Sequence, residues 1–220
     1  GPNITDWPDF DPLGEHLLLS VCSVIDDPVT TTDELIPSGE TSSYRSNPIR
    51  LADFTLSRKD PGYVGRAKAA VKNPPPSEVI AAVKELTGSA EPQVGSVIYA
   101  VKPGDGSARE QAASCQRVLG GAANIAADYA TKRYRSNLIN WGMLPFTLDI
   151  DVHSLPFGVG DYILVKDVRR SVADGDTVFE AYTVKPDGSY SPLTLKMAPL
   201  TEDERHIVLA GCLKNVKRKN

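Results

Sequence analysis

A serine and an arginine near the start of a predicted helix are the best candidates for chemistry in this chain. Residues 104–110 read GDGSARE, and a helix is predicted over Ala108–Leu119. Ser107 falls where a helix N-cap belongs and Arg109 lies beside it, so this position favours an anion, either a carboxylate or the serine's own alkoxide. The spacing of Ser107 and Glu110 equally fits a capping box, which only satisfies helix N–H groups. Spacing alone leaves both interpretations open.

A second group of candidates lies in a long polar loop, residues 26–47. The loop contains the sequence TTDEL at 31–35, and Arg45 follows Asp33 by twelve positions. Loops of this length without predicted structure are often functional. Taken singly, Asp33 fits a turn-forming aspartate and Arg45 a solvated surface arginine.

These motifs together resemble the swivel domains of the aconitase and isopropylmalate isomerase families. The families carry G-x-G-S-S-R-E-H-A-A, then R-x-L-G-G, then N-L-x-x-x-G-L-L-P, and the aconitases carry T-T-D-H-I with an arginine twelve residues after the aspartate. The corresponding residues here are 104–113, 117–121, Asn137-Leu138 with Gly142 to Pro145, and Thr31 to Leu35 with Arg45. Two motif groups in the same order and at similar separation make the resemblance specific.

The resemblance implies a role for each candidate residue. Ser107 would be the general base that removes a substrate proton as an alkoxide, and Arg109 would stabilise that alkoxide and the substrate. Arg45 would bind a substrate carboxylate bidentately. Asp33 would orient a histidine from another domain. The implied reaction is the reversible dehydration and rehydration of a hydroxy di- or tricarboxylate, a hydro-lyase (hydratase) activity.

Three single positions and the segment 37–41 depart from the family pattern. Ala108 replaces the second serine, Gln111 replaces the histidine after the glutamate, and Glu34 replaces the histidine after the aspartate. The general base is retained, whereas a hydroxyl that helps to hold substrate in the family is missing. We therefore expect altered substrate recognition and name no particular acid.

The cysteines predict that no metal is held by this chain. Cys22, Cys115 and Cys212 are widely spaced, with no C-x-x-C pair, and fit small buried apolar residues better than cluster ligands. The resemblance implies a 4Fe-4S cluster on the N-terminal cluster-binding domains of the same polypeptide, whose iron acts as a Lewis acid on the leaving hydroxyl. The isolated chain is expected to be inactive.

Strand-like and helix-like segments alternate along most of the chain, which predicts an α/β protein with a single domain. The resemblance implies the aconitase-type swivelling β/β/α domain, a layered mixed sheet with helices. We predict a linker from an upstream catalytic region at 1–14, the swivel domain at 15–213 and a basic tail at 214–220. The chain begins at Gly1 rather than Met, which suggests an excised fragment.

Composition argues against two classes of partner. With 24 basic and 28 acidic residues the net charge is -4, so nucleic acid is an unlikely partner. The apolar runs fall well short of the roughly 20 residues that a membrane span needs, and a cytoplasmic location is expected. The three histidines, His16, His153 and His206, match no family site and are predicted to be structural or surface residues.

Two alternatives stay open beside the fused hydratase. One is a catalytically altered relative that acts as a binding or regulatory module, including an RNA-binding one, because Ala108 and Gln111 depart from the family. The other is a free-standing small subunit, as in the isopropylmalate isomerases.

Overall fold

The computed structural model describes residues 5–107 and 109–218, and in this part of the chain short helices alternate with the strands of one main sheet. In chain order the elements are β1 (Leu17–Ile25), β2 (Thr30–Thr31), α1 (Thr32–Leu35), α2 (Ser38–Thr41), α3 (Pro48–Ala52), α4 (Tyr63–Lys72), α5 (Ser77–Thr87), β3 (Gln93–Ala100), β4 (Pro103–Asp105), α6 (Arg109–Val118), β5 (Gly121–Ala126), α7 (Lys132–Asn140), β6 (Leu144–Thr147), β7 (Tyr162–Val165), α8 (Val168–Ala173), β8 (Val178–Val184), β9 (Tyr190–Lys196), α9 (Glu202–Ala210) and α10 (Leu213–Arg218). Single 3₁₀ turns occupy Ser42–Tyr44 and Val152–Ser154.

Seven of these strands form a sheet that closes on itself in the order β1-β3-β5-β6-β9-β8-β7. The first four are parallel, as expected for strands joined through helices, and the last three pair antiparallel. A tight turn at Asp187-Gly188 joins β8 to β9, as the sequence predicts. The predicted class, a mixed layered sheet with helices, is confirmed, and closure of the sheet is an additional finding.

Apolar residues on the two faces of the parallel strands enter different buried clusters. Leu19, Val97, Phe146 and Phe179 point into the closed sheet. Others face the helices on the outside, where Cys22, Leu56, Tyr63 and Leu138 belong to a second buried cluster. Burial on both faces explains why β1 reads as a continuous apolar run in the sequence.

The C-terminal part of the chain differs in detail from the prediction. The sequence predicts a single final helix, capped by Thr201 and running to Leu213. Thr201 does cap α9 through a capping box with Glu204. The helix ends at Ala210, however, because Gly211 adopts φ 104° and turns the backbone out of the helix. A separate helix, α10, follows and includes residues 214–218 of the predicted basic tail.

Candidate functional site

The strands β2 and β4 bring the two chemical motifs side by side. They pair in parallel, with Thr30 opposite Pro103 and Thr31 opposite Asp105. Each strand leads directly into a helix that carries candidate residues, α1 with Asp33 and α6 with Arg109. Residues about 70 positions apart in sequence thus share one surface, which we call the site face: α1, β4 and the turn 106–107.

Gly106 marks the closest approach within the site face. Its φ of 130° lies in a region that side-chain-bearing residues avoid, and a Cβ at this position would overlap the Thr32 hydroxyl. Only glycine lets the backbone ahead of Ser107 reach α1. The second glycine of the G-x-G-S motif is therefore required for contact between the motifs.

Helix α1 is held by a capping box. The Thr31 hydroxyl accepts a hydrogen bond from the Glu34 amide at 3.1 Å, and the Glu34 carboxylate accepts one from the Thr31 amide at 3.1 Å. A T-x-x-E signature was present in the sequence and could have predicted this short helix. Glu34 thus serves as a cap where the family pattern has histidine, and it leaves the adjacent Asp33 exposed.

The first glycine of the motif rests on a buried aromatic ring. Gly104 has φ 102°, and a Cβ there would overlap the ring and Cβ of Tyr134 on α7. The Thr131 hydroxyl donates a hydrogen bond to the Gly104 carbonyl at 3.1 Å and caps α7 by accepting from the Tyr134 amide at 3.1 Å. Helix α7 therefore supports the glycine turn from beneath.

A buried polar network joins α7 to α6 and β5. The Tyr134 hydroxyl donates to Asn124 Oδ1 at 2.6 Å and accepts from Gln116 Nε2 at 2.9 Å, and Asn124 Nδ2 donates to Gln116 Oε1 at 2.7 Å. Burial raises the pKa of the Tyr134 phenol, which keeps it protonated as a donor. Gln116 also donates to the Ala112 carbonyl at 2.8 Å, so the network anchors α6 itself. Sequence reasoning had not singled out these residues.

The predicted base and its arginine neighbour lie at the start of α6. Ser107 is exposed, and the described helix begins at Arg109. Ala108 and the side chain of Arg109 lie outside the described residues. Their roles therefore stay predictions, as does the role of Ser107.

The predicted carboxylate-binding Arg45 is exposed at the end of the 3₁₀ turn Ser42–Tyr44. The turn is fixed by Tyr44, whose ring stacks on Phe54 at a centroid distance of 5.4 Å. The contacts of the described residues do not link Arg45 directly to Asp33 or Ser107. The structure thus joins two of the predicted site segments and leaves the third on a neighbouring turn.

The R-x-L-G-G motif has a structural explanation. Arg117 donates to the Gly211 carbonyl at 2.8 Å and to the Gly121 carbonyl at 3.3 Å, and its guanidinium lies 4.8 Å from the centre of the Phe10 ring. Burial lowers the pKa of this arginine. The motif fastens the end of α6 to the C-terminal helices and to the N-terminal segment.

The cysteines do not fit an iron-sulfur cluster. Cys22, Cys115 and Cys212 are each buried and free. Burial raises the pKa of the Cys22 thiol, and it raises that of Cys115 to about 12, so the thiolate that a cluster requires is disfavoured. Nothing in this chain's cysteines supports a cluster.

One group in the described part of the chain brings metal-ligating side chains together, namely Glu15, His16 and Asp167. The buried His16 Nδ1 accepts a hydrogen bond from the Asp167 amide at 2.9 Å. The neutral ring must then carry its proton on Nε2, which leaves no lone pair for a metal. His16 therefore has a structural role, as predicted, while His153 and His206 are exposed.

A cleft of about 440 Å³ lies beside the site face rather than in it. Trp7 and Trp141 pack against each other at 4.6 Å along its wall, and Glu110 forms part of its edge. Asp33, Arg45 and Ser107 do not line it. The two tryptophans are therefore packing residues.

In the described residues no helix has the length and apolar character to cross a membrane.

The fold is similar to that of aconitase-type swivel domains. Residues 65–150 match the family model "Aconitase C-terminal domain", which confirms the resemblance drawn from the motifs. The matched segment includes Ser107 but begins after Asp33 and Arg45.

A particular solved structure extends the likeness to nearly the whole chain. This is 3-isopropylmalate dehydratase from Methanocaldococcus jannaschii, at 22% identity and a TM-score of 0.56, with 93% of this chain and 94% of that chain covered. At this identity the similarity shows a shared fold. A comparison with curated proteins found no match.

Proposed function

We propose that this chain supplies the proton-transfer and carboxylate-binding half of a hydro-lyase active site acting on a hydroxy di- or tricarboxylate. The observation that supports the proposal is the pairing of β2 with β4, because these two strands lead towards Asp33 and Ser107, which are both exposed. A purely structural capping box at Ser107 would not need a second motif segment beside it. The matched family and the fold support the same conclusion.

In this proposal Ser107 is the base, and its surroundings must stabilise its anion. A serine hydroxyl is a very weak base unless cations and N–H donors lie close to the oxygen. The start of α6 offers helix N–H groups. In the proposal, the guanidinium of Arg109, the first residue of that helix, would supply the cation. Arg45 would bind a substrate carboxylate from the neighbouring turn.

The exposure of the site face supports a partner region that closes over it. Asp33 and Ser107 on this face are exposed, as is Arg45 at the end of the turn Ser42–Tyr44, whereas proton abstraction by serine needs a site from which water is excluded. We propose that the partner holds the iron-sulfur cluster, which supplies Lewis-acid chemistry when bound. The partner could belong to the same polypeptide or to a separate large subunit. The near-complete coverage of the 3-isopropylmalate dehydratase chain supports the separate arrangement as an alternative.

The experiment is a turnover assay of the complete protein with its partner region, reconstituted anaerobically and screened against hydroxy di- and tricarboxylates. Ser107→Ala should abolish turnover of the best substrate while cluster content stays unchanged. Ser191→Ala, an exposed serine on the distant β9, is the matched control and should be silent. Turnover that survives in Ser107→Ala would rule out the base, and no turnover of any acid by the unmodified protein would count against the hydro-lyase proposal.

Substrate recognition can be tested at the position that departs from the family. Ala108→Ser would restore the missing hydroxyl beside Ser107. We expect a changed KM or a changed preference among the acids, with little effect on the free energy of unfolding. Unchanged kinetics would place residue 108 outside the substrate site.

A further inference from the structure

The N-terminal segment, residues 5–14, begins beside the turn that carries Arg45. The Thr5 amide donates a hydrogen bond to the Ser46 carbonyl at 3.0 Å, and Ser46 follows Arg45 directly in the chain. The backbone next to this exposed arginine is therefore bonded to a part of the chain that is distant in sequence.

Aromatic contacts hold the middle of the N-terminal segment against the helices. The Trp7 ring packs on Trp141 at a centroid distance of 4.6 Å, and the Phe10 ring meets Trp141 edge-on at 6.1 Å. Asn215 Nδ2 donates to the Phe10 carbonyl at 2.9 Å, and the Arg117 guanidinium lies 4.8 Å from the centre of the Phe10 ring. Both the side chains and the backbone of this part of the segment are thus held in place.

The C-terminal end of the same segment is attached to α9 and the closed sheet. Leu13 is buried, and its amide donates to the Leu209 carbonyl at 3.1 Å. The Gly14 amide donates to Gln93 Oε1, at the start of β3, at 2.7 Å. Because the segment is held at several points along its length, the packed domain sets the position of Thr5.

The turn that carries Arg45 is also held by α3. The Asn47 amide donates to the Tyr44 carbonyl at 2.9 Å, and Asn47 Oδ1 accepts from the Arg50 amide at 3.1 Å. The Arg50 guanidinium lies 5.2 Å from the centre of the Tyr44 ring. Helix α3 and Thr5 together fix the backbone of the turn, while the side chain of Arg45 is exposed.

We propose that the N-terminal segment positions Arg45 for a substrate carboxylate, with Thr5 and Trp7 as positioning residues. This inference rests on the proposed function, in which Arg45 binds that carboxylate. An arginine side chain loses rotamer freedom when it binds a ligand, and a backbone that had to be ordered at the same time would add to this cost. A turn that is already held in place therefore lowers the KM for the acid.

Thr5→Pro tests the contact directly, because proline has no amide hydrogen to donate to Ser46. In the complete reconstituted protein we expect KM for the best acid to rise about five-fold, the effect of one neutral hydrogen bond, and kcat to change less than about two-fold. Thr5→Ala is the matched control, since it keeps the amide and should leave KM unchanged. Equal KM values for Thr5→Pro and Thr5→Ala would overturn the proposal.

Hydrogen exchange of the complete protein, followed by mass spectrometry, measures the positioning without turnover. Trp7→Ala removes the contact with Trp141, so the Asn47 amide that closes the turn should exchange about three-fold faster or more. Trp7→Phe keeps an aromatic ring and should retain most of the protection. Tyr190→Ala on the distant β9 is the control, because Tyr190 is 39% exposed and Trp7 36%. If Trp7→Ala exchanges no faster than Tyr190→Ala at this amide, the segment does not hold the turn.

A double variant shows whether the effect on KM passes through Arg45. Arg45→Gln should raise KM by itself, and addition of Thr5→Pro should raise it no further, because the guanidinium that the segment positions is gone. If the two increases in KM multiply instead, the segment acts elsewhere and the proposal fails.

Binding of a non-reactive acid separates this inference from the proposed function. Tricarballylate has three carboxylates and no hydroxyl to eliminate, so its dissociation constant can be measured by calorimetry on the complete protein. If no acid is turned over but Thr5→Pro binds tricarballylate about five-fold more weakly than Thr5→Ala does, the positioning of Arg45 stands without the reaction. If turnover is present and the two variants agree in KM and in dissociation constant, the positioning is excluded while the reaction stands. If neither binding nor turnover is seen, both proposals fail.

Discussion

The site face and the polar network behind it differ in burial and in how their polar groups are satisfied. On the face, Asp33 and Ser107 are exposed, and short segments hold them in place. Behind it, Gln116, Asn124 and Tyr134 are fully buried and satisfy one another. The two regions meet at Gly104, which packs on the Tyr134 ring.

This difference indicates that the residues exposed for contact with a ligand or partner are separate from the residues that stabilise the fold. Exposed polar residues contribute little to stability, so their replacement should affect contacts with a partner region or a ligand more than the fold. The buried network costs much to disturb, because each member would be left without a hydrogen-bond partner. We therefore expect substitutions on the face to change function and substitutions behind it to change the fold.

The largest effect should come from Gly104→Ala, at the junction of the two regions. The added methyl group would overlap Tyr134, and φ 102° would be strained for alanine. We expect a loss of about 3 kcal/mol or more in the free energy of unfolding, measured by urea denaturation. Gly158→Ala, where a Cβ meets nothing within 4 Å, is the control. Equal stability of the two variants would contradict the packing described for Gly104.

Next is Tyr134→Phe, which keeps the ring beneath Gly104 and removes only the hydroxyl. Asn124 Oδ1 would lose the donor that now lies 2.6 Å away. The expected cost is about 2 kcal/mol by urea denaturation. Tyr190→Phe on the exposed β9 should cost nothing measurable. A similarly silent Tyr134→Phe would mean that the network does not support the fold.

A smaller effect on stability and a clear effect on function are expected for Gly106→Ala. The methyl group would overlap the Thr32 hydroxyl and push the turn carrying Ser107 away from α1. We predict a loss of about 1–2 kcal/mol together with reduced turnover in the complete protein. Thr32→Ala should restore part of both losses in the double variant, because it removes the overlapping atom. Strictly additive losses would show that the two motifs do not touch.

The smallest effect concerns the buried thiol of Cys115 at high pH. Its pKa of about 12 in the fold lies above the ordinary 9.0, so the folded state binds this proton more tightly than the unfolded chain does. The resulting stability is complete below pH 9 and is lost as the pH rises from 9 towards 12. Urea midpoints measured between pH 8 and pH 11 should fall, and less steeply in Cys115→Ala. Iodoacetamide at pH 8 should leave Cys115 unmodified in the folded protein.

Much of the architecture could be predicted from local patterns. The continuous apolar run of β1, the turn at Asp187-Gly188 and the capping box at Thr201 each rest on residues close together in sequence. Spacing and family resemblance likewise indicate Asp33, Arg45, Ser107 and Arg109 as candidate site residues. Their contacts could not be predicted in this way, since a motif fixes residue types and leaves the distance between two motifs open.

The sequence by itself determined the class of fold and the residues that could do chemistry, because hydrophobic periodicity, caps and glycine turns are local properties of the chain. Only the tertiary structure decided which of these residues meet. Positions that are distant in sequence meet where β2 pairs with β4, where Gly104 packs on Tyr134 and where Arg58 forms an ion pair with Asp33. Such contacts depend on how the helices pack on the closed sheet, which no local pattern specifies.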